Sequence, residues 1–157
     1  HAIKRTVASA DPEIHGVFDL VLNNYGPDRH IGSVHIEVPD TCSAADLDEL
    51  IRAISLKVYR EHNVVLTAIG VYSANTRDPE IVGMRNQIAR IALADPNALQ
   101  LHGFYVDREK KKIRFDLVVG FDTKDRGAVL EEVNRKVREL YPDYELETVL
   151  DTDFSET

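Results

Sequence analysis

The sequence predicts an α+β protein made of two tandem αββαβ units, each an antiparallel or mixed three-stranded sheet with helices on one face. Three observations carry that expectation. A degraded copy of residues 11–38 returns at residues 95–119: Asp11-Pro12 and His15-Gly16 answer to Asp95-Pro96 and His102-Gly103, each leading into an apolar alternation broken by a polar turn. Stretches of period two and stripes at helical spacing follow one another in the same order in both halves. Finally, 157 residues at 43% hydrophobic can bury one ordinary core or two small ones that support each other. The units are expected at residues 1–75 and 76–157.

Ile3 and Val7 lie at helical spacing within residues 3–10, and that helix should stop before Asp11-Pro12, because the residue ahead of a proline is pushed out of the α region. Residues 16–22 alternate as a strand, with Phe18, Leu20 and Leu22 on one face and Val17, Asp19 and Val21 on the other. A turn follows at Asn23-Asn24-Tyr25-Gly26-Pro27-Asp28. The next strand sets Val34, Ile36 and Val38 against Ser33, His35 and Glu37, so the hairpin has one buried face. Ser43 caps the helix that covers it, Asp46 suits the helix dipole, and Leu47, Leu50, Ile51, Ile54 and Val58 form the apolar stripe. Residues 64–72 read as a third strand, and residues 73–76 close the unit.

The second unit opens on Asp78-Pro79 as cap and first helical residue, where a missing proline N–H costs nothing. Ile81, Met84, Ile88 and Ile91 make its stripe. Strands follow at residues 101–107 and 113–121, joined by a charged turn through Lys110-Lys111-Lys112 that reads as a hairpin tip. The last helix carries Val129, Val133, Val137 and Leu140 and stops at Tyr141-Pro142, ahead of a final strand over residues 144–153. Helices on one side leave the other sheet face bare. Such a face is covered by the second unit, by a symmetry mate, or by both.

Composition narrows the function. A net charge of -8 and a pI of 5.2 offer no overall basic field for phosphate backbones, which argues against nucleic acid and favours cations. Cys42 is the only cysteine, so there is no disulfide framework and no zinc-finger spacing, in keeping with a reducing compartment. No apolar run approaches the ~20 residues of a spanning helix, no signal peptide is visible, and a soluble chain is expected. The opening His1-Ala2 reads as a tag remnant or a cut end. Neither a Gly-x-Ser-x-Gly elbow nor a phosphate loop nor a cysteine–histidine pair marks an enzyme, and none is expected.

The wording of the first unit supplies a resemblance. Glu13-Ile14-His15-Gly16-Val17-Phe18-Asp19-Leu20, then Asn24-Tyr25-Gly26-Pro27, then Ser33-Val34-His35-Ile36-Glu37-Val38 resemble the cytoplasmic C-terminal domain of cation diffusion facilitator transporters. In that family the first strand reads Gly-Val-His-Asp-Leu, the second carries a His before an acidic residue, and the third ends His-x-Asp-Pro. The likeness covers residues 1–75; the second unit follows it in order of elements more than in wording. It implies a ferredoxin-like, metallochaperone-like fold and a homodimer through the open sheet face. It implies a divalent metal ion, zinc, manganese or iron, that stabilises the dimer and regulates efflux. It also implies a place on the cytoplasmic side of the cell membrane, as a domain of an integral membrane protein whose membrane-spanning part is a further partner.

Measured against that family, Phe18 replaces the first-strand His, Asp48 falls where a helix His is expected, and Thr67, Ala68 and Ile69 stand where His-x-Asp would be. Only His35 stays, short of the three or four donors a site needs. The second unit keeps more: Asp151-Thr152-Asp153 resembles the His-x-Asp ending, and Asp116 takes the place of His35. With Phe115, Leu117 and Val119 toward the helices, Asp116 turns outward; with Leu146, Thr148 and Leu150 inward, so do Asp151 and Asp153. His102 joins that face if it registers with His15. The candidate metal donors are therefore His102, Asp116, Asp151 and Asp153, an oxygen-rich set suited to manganese, iron or zinc rather than copper, together with His35. Plainer roles stand beside these: solvated aspartates, a structural hydrogen bond for His102, an interface contact for His35. The alternative for the whole chain is a ferredoxin-like small-molecule-binding regulatory module.

Overall fold

The computed structural model describes residues 2–152. The chain is α+β and runs α1 (Ala2–Ala8), β1 (Gly16–Asn24), β2 (His30–Pro39), α2 (Ala44–His62), β3 (Val64–Ala74), α3 (Pro79–Leu93), β4 (Ala98–Asp107), β5 (Lys112–Val119), α4 (Arg126–Leu140) and β6 (Glu145–Asp151). That is αββαβ twice over, as tandem ferredoxin-like units with one three-stranded sheet each, in the orders β1-β2-β3 and β4-β5-β6. Backbone contacts divide the chain between Ser73 and Ala74. Among the described residues no helix is long and apolar enough to cross a membrane.

In the first unit β1 runs antiparallel to β2, and β3 lies on the other side of β2. The core joins Val34, Ile36 and Val38 of β2 to Leu50, Ile54 and Val58 of α2, with Val7, Val64 and Leu66 filling in. The helix starts where the sequence asks it to. Ser43 Oγ accepts from the Asp46 N–H at 3.1 Å and Asp46 Oδ2 accepts from the Ser43 N–H at 2.9 Å, a reciprocal capping box. It ends on Asn63 in the left-handed conformation, φ 54°.

Strict alternation fails in β1. Leu20 is buried and Val17 packs against the core, three positions apart, whereas Leu22 is 46% exposed. The cause is a β-bulge: Phe18 pairs with His35 and Val21 with Ser33, so three steps along β1 match two along β2. Asp19 absorbs the extra residue at φ 55°. Val17 and Leu20 therefore face the helix, and Phe18 does not.

The second unit repeats the device. β4 is antiparallel to β5, and β5 is parallel to β6, so this sheet is mixed. His102 pairs with Asp116 and Tyr105 with Arg114, again three steps against two, and here Gly103 takes the left-handed place at φ 62°. Leu101 and Phe104 point to the core as Val17 and Leu20 do. The internal repeat is thus real in structure but shifted in register: His102 corresponds to Phe18, not to His15.

Phe104, Ile113, Phe115, Leu117, Ile88 and Val137 are buried in this core. Asp78 caps α3, its side chain accepting from the Glu80 N–H at 2.9 Å, with Pro79 as the first helical residue. The buried stripe of α3 ends on Ala92 rather than Ile91. Leu140 is 45% exposed instead of closing the stripe of α4, because Tyr141 packs on the core in its stead and donates its hydroxyl to Gln87 Oε1. β4 begins earlier than expected, at Ala98, and β5 ends earlier, at Val119, where the Gly120 N–H reaches back to the Asn97 carbonyl at 2.9 Å. Buried Asn75 extends β4 sideways: its Oδ1 accepts from the Val106 N–H at 3.0 Å and its Nδ2 donates to the Val106 carbonyl at 3.4 Å.

Candidate functional site

The face of the second sheet turned away from its helices gathers one imidazole and two carboxylates from three adjacent strands. Undisturbed alternation in β5 buries Phe115 and Leu117 and turns Asp116 out. In β6 Leu146 and Leu150 pack inward and Thr148 Oγ1 accepts from Asn134 of α4, so Asp151 also turns out. β4 contributes His102, whose direction is set by the bulge at Gly103. Cross-strand pairing then puts His102 opposite Asp116.

The resulting geometry is a carboxylate on each ring nitrogen. His102 Nε2 lies 3.2 Å from Asp151 Oδ2, and His102 Nδ1 lies 3.7 Å from Asp116 Oδ2. The His102 side chain is 1% exposed, against 17% for Asp116 and 27% for Asp151. Low local dielectric strengthens each of these contacts and makes an uncompensated charge here costly. Asp151 is also held through its other atoms. Its Oδ1 accepts from the Thr152 N–H at 2.8 Å. From the first turn of α4, Arg126 Nη2 donates to the Asp151 carbonyl and to Thr152 Oγ1, both at 2.9 Å, and to the Val119 carbonyl at 3.3 Å. The end of β6 is thereby tied to the end of β5, and Asp151 Oδ2 is left pointing at the imidazole.

Of the residues singled out in the sequence, His102, Asp116 and Asp151 come together. Asp153 lies outside the described residues. His35 belongs to the first unit and keeps different company there. Its Nδ1 lies 3.2 Å from Asp19 Oδ2, and the same oxygen accepts from the Tyr72 hydroxyl at 2.8 Å. The His35 and Tyr72 rings stack at 4.7 Å with 17° between planes, and Phe18 adds a tilted contact to Tyr72 at 6.2 Å. Gly70 lies under the imidazole, where a Cβ would come within 2.2 Å of the ring.

Alternation already turns Asp19 away from the helix with His35, but it puts Phe18 inward; the bulge sets both away from the helix, and Tyr72 joins them from β3. The signal was present twice, as inward residues spaced by three instead of two: Val17 and Leu20, then Leu101 and Phe104 around Gly103. On β3 it is Tyr72 that stacks on His35.

No protein-family model matches this chain, and neither does any curated protein sequence.

Proposed function

We propose that this chain is the regulatory and dimerising cytoplasmic domain of a divalent metal exporter of the cation diffusion facilitator type, with its metal held by the second unit. The supporting observation is the buried His102 imidazole between the carboxylates of Asp151 and Asp116. The bulge register adds weight. Phe18 stands where the resembling family has its first-strand His, and Phe18 corresponds to His102, so the second unit supplies the imidazole that the first one lacks.

The donor set fits an ion of borderline hardness, with zinc, manganese and iron favoured over copper. His102 Nε2 and Asp151 would supply two of the three or four donors such a site needs, and Asp153 is the further candidate from the sequence. Asp116 would then accept the Nδ1–H, fixing the tautomer and raising the basicity of the ligating nitrogen, the usual task of a carboxylate behind a metal-bound imidazole. Bound to folded protein only, the ion stabilises the fold by mass action. In this reading a homodimer, as the resembling family implies, and the membrane-spanning part of the transporter are the partners. No catalytic role is assigned.

Zinc, manganese and iron(II), titrated separately into the metal-free chain, are expected to raise its melting temperature. His102→Ala and Asp151→Asn should abolish the effect, and Asp116→Asn should weaken affinity by ~10–100-fold. Asp153→Asn measures what that residue adds. An unchanged melt with all three ions, or a shift that survives alanine at all four positions, sinks the metal reading. Light scattering addresses the dimer, and monomer at every concentration, with and without metal, removes it.

A further inference from the structure

The protein is acidic overall, yet five of its 19 Lys and Arg residues fall within positions 108–114, with Glu109 the one acid among them. The structure gives most of these cations a partner. Arg108 pairs with Asp78 and with Glu80 across the start of α3, at 2.6 and 2.8 Å. Lys111 lies over the Tyr144 ring at 5.0 Å. Lys112 meets Glu147 Oε1 at 2.7 Å and holds that carboxyl below the usual carboxylate range.

Two cations differ. Arg114 lays its guanidinium over the Tyr105 ring at 5.3 Å, and neither Arg114 nor Lys110 makes an ion pair with a carboxylate among the described residues, although both add to the positive field that Lys112 sets at Glu147. Both line a cleft of about 210 Å³ whose other walls are Tyr105, Asp107, Lys112 and Glu147. Strand alternation puts Tyr105, Asp107, Lys112 and Arg114 on the sheet face away from the helices. The two acids are already engaged. Asp107 Oδ1 accepts from the backbone N–H groups of Glu109 and Lys110 at 3.1 and 3.0 Å, and Glu147 is taken by Lys112. What the cleft has left over is donors: a guanidinium fork over an aromatic ring, an ammonium and a phenol.

We infer that this cleft is an oxyanion site, which takes a phosphate group on Arg114, Lys110 and the Tyr105 hydroxyl. The planar guanidinium fork matches a tetrahedral or planar oxyanion through two parallel N–H···O bonds, and its contact with the Tyr105 ring lowers the side-chain freedom lost on binding. The phosphate can come from a small free ligand or from a lipid headgroup. The inference uses residues separate from His102, Asp116 and Asp151 and stands whether or not these hold metal.

The test is an NMR titration of the metal-free 157-residue chain with inorganic phosphate at fixed ionic strength, followed at Arg114, Lys110 and Tyr105. A saturable shift at these residues is expected. Arg114→Gln should weaken it about tenfold or more, the worth of a charge-assisted pair. Lys124→Gln removes the same charge from a loop outside the cleft and should leave it unchanged. Arg114→Lys keeps the charge and loses the fork, so it should also weaken binding, and it serves if the glutamine variant fails to fold. A second arm measures sedimentation with phosphatidylcholine vesicles, with and without phosphatidic acid. Arg114-dependent binding only to the acidic vesicles assigns the phosphate to a headgroup, whereas binding of free phosphate assigns it to a small ligand. The inference is overturned by the absence of saturable binding in both arms, or by equal losses in the Arg114→Gln and Lys124→Gln variants.

Discussion

Asp19 and Gly103 occupy one conformation in two copies of the same bulge, at φ 55° and φ 62°. Glycine takes that conformation freely, whereas a side chain there costs ~1–2 kcal/mol. Asp19 accepts the cost and brings a carboxylate to His35 and Tyr72. Gly103→Ala is accordingly expected to destabilise the chain by about 1–2 kcal/mol in urea denaturation. Gly70→Ala acts by a different route. Its methyl would overlap the His35 ring, and strain of ~1–3 kcal/mol is expected, with displaced His35 ring signals in the NMR spectrum. An unshifted His35 in a stable Gly70→Ala protein would contradict the packing described for the first sheet.

Among the elements, the helices owe much to their first turns. Loss of the capping hydroxyl in Ser43→Ala should cost about 1 kcal/mol, read as a lower denaturation midpoint. The caps also set an acid dependence. The Ser43 backbone N–H holds the Asp46 carboxyl below its ordinary range, and the Arg108 guanidinium does the same for Asp78. A carboxyl whose pKa is lower folded than unfolded binds more protons in the unfolded state. Its contribution is therefore full above the unfolded value, near 3.9, and drains away as the pH falls through the folded one. Asp78→Asn should flatten the stability curve in that acid window and leave its neutral-to-alkaline part unchanged in shape. A melting series from pH 7 to pH 2 checks both statements.

At the level of the molecule, each unit has its own buried cluster, and the two clusters share no residue. Phe115→Ala opens a cavity in the second cluster and should cost about 3–5 kcal/mol. Hydrogen exchange is expected to show the loss first in the amides of β4, β5 and β6, with β2 and α2 less affected; a uniform loss along the chain would mean that the units unfold as one.

The order of elements, the caps at Ser43 and Asp78, and the outward set of Asp116 and Asp151 could be read from the sequence. Each depends on neighbours within a few positions: a helical stripe repeats every three or four residues, a cap acts over three, and a bulge-free strand alternates by two. Alternation misplaces Val17, Phe18 and Leu22 of the first strand for the same reason, since one extra residue reverses every side chain beyond it without altering the composition of the segment. Tertiary structure alone decided that His102 corresponds to Phe18, that His35 is paired with Asp19 and stacked on Tyr72, and that Arg114, unlike Arg108 and Lys112, makes no ion pair with a carboxylate among the described residues. Those facts depend on pairing between strands and loops far apart in the chain, and the register of a ladder is chosen by the packing of both its sides at once.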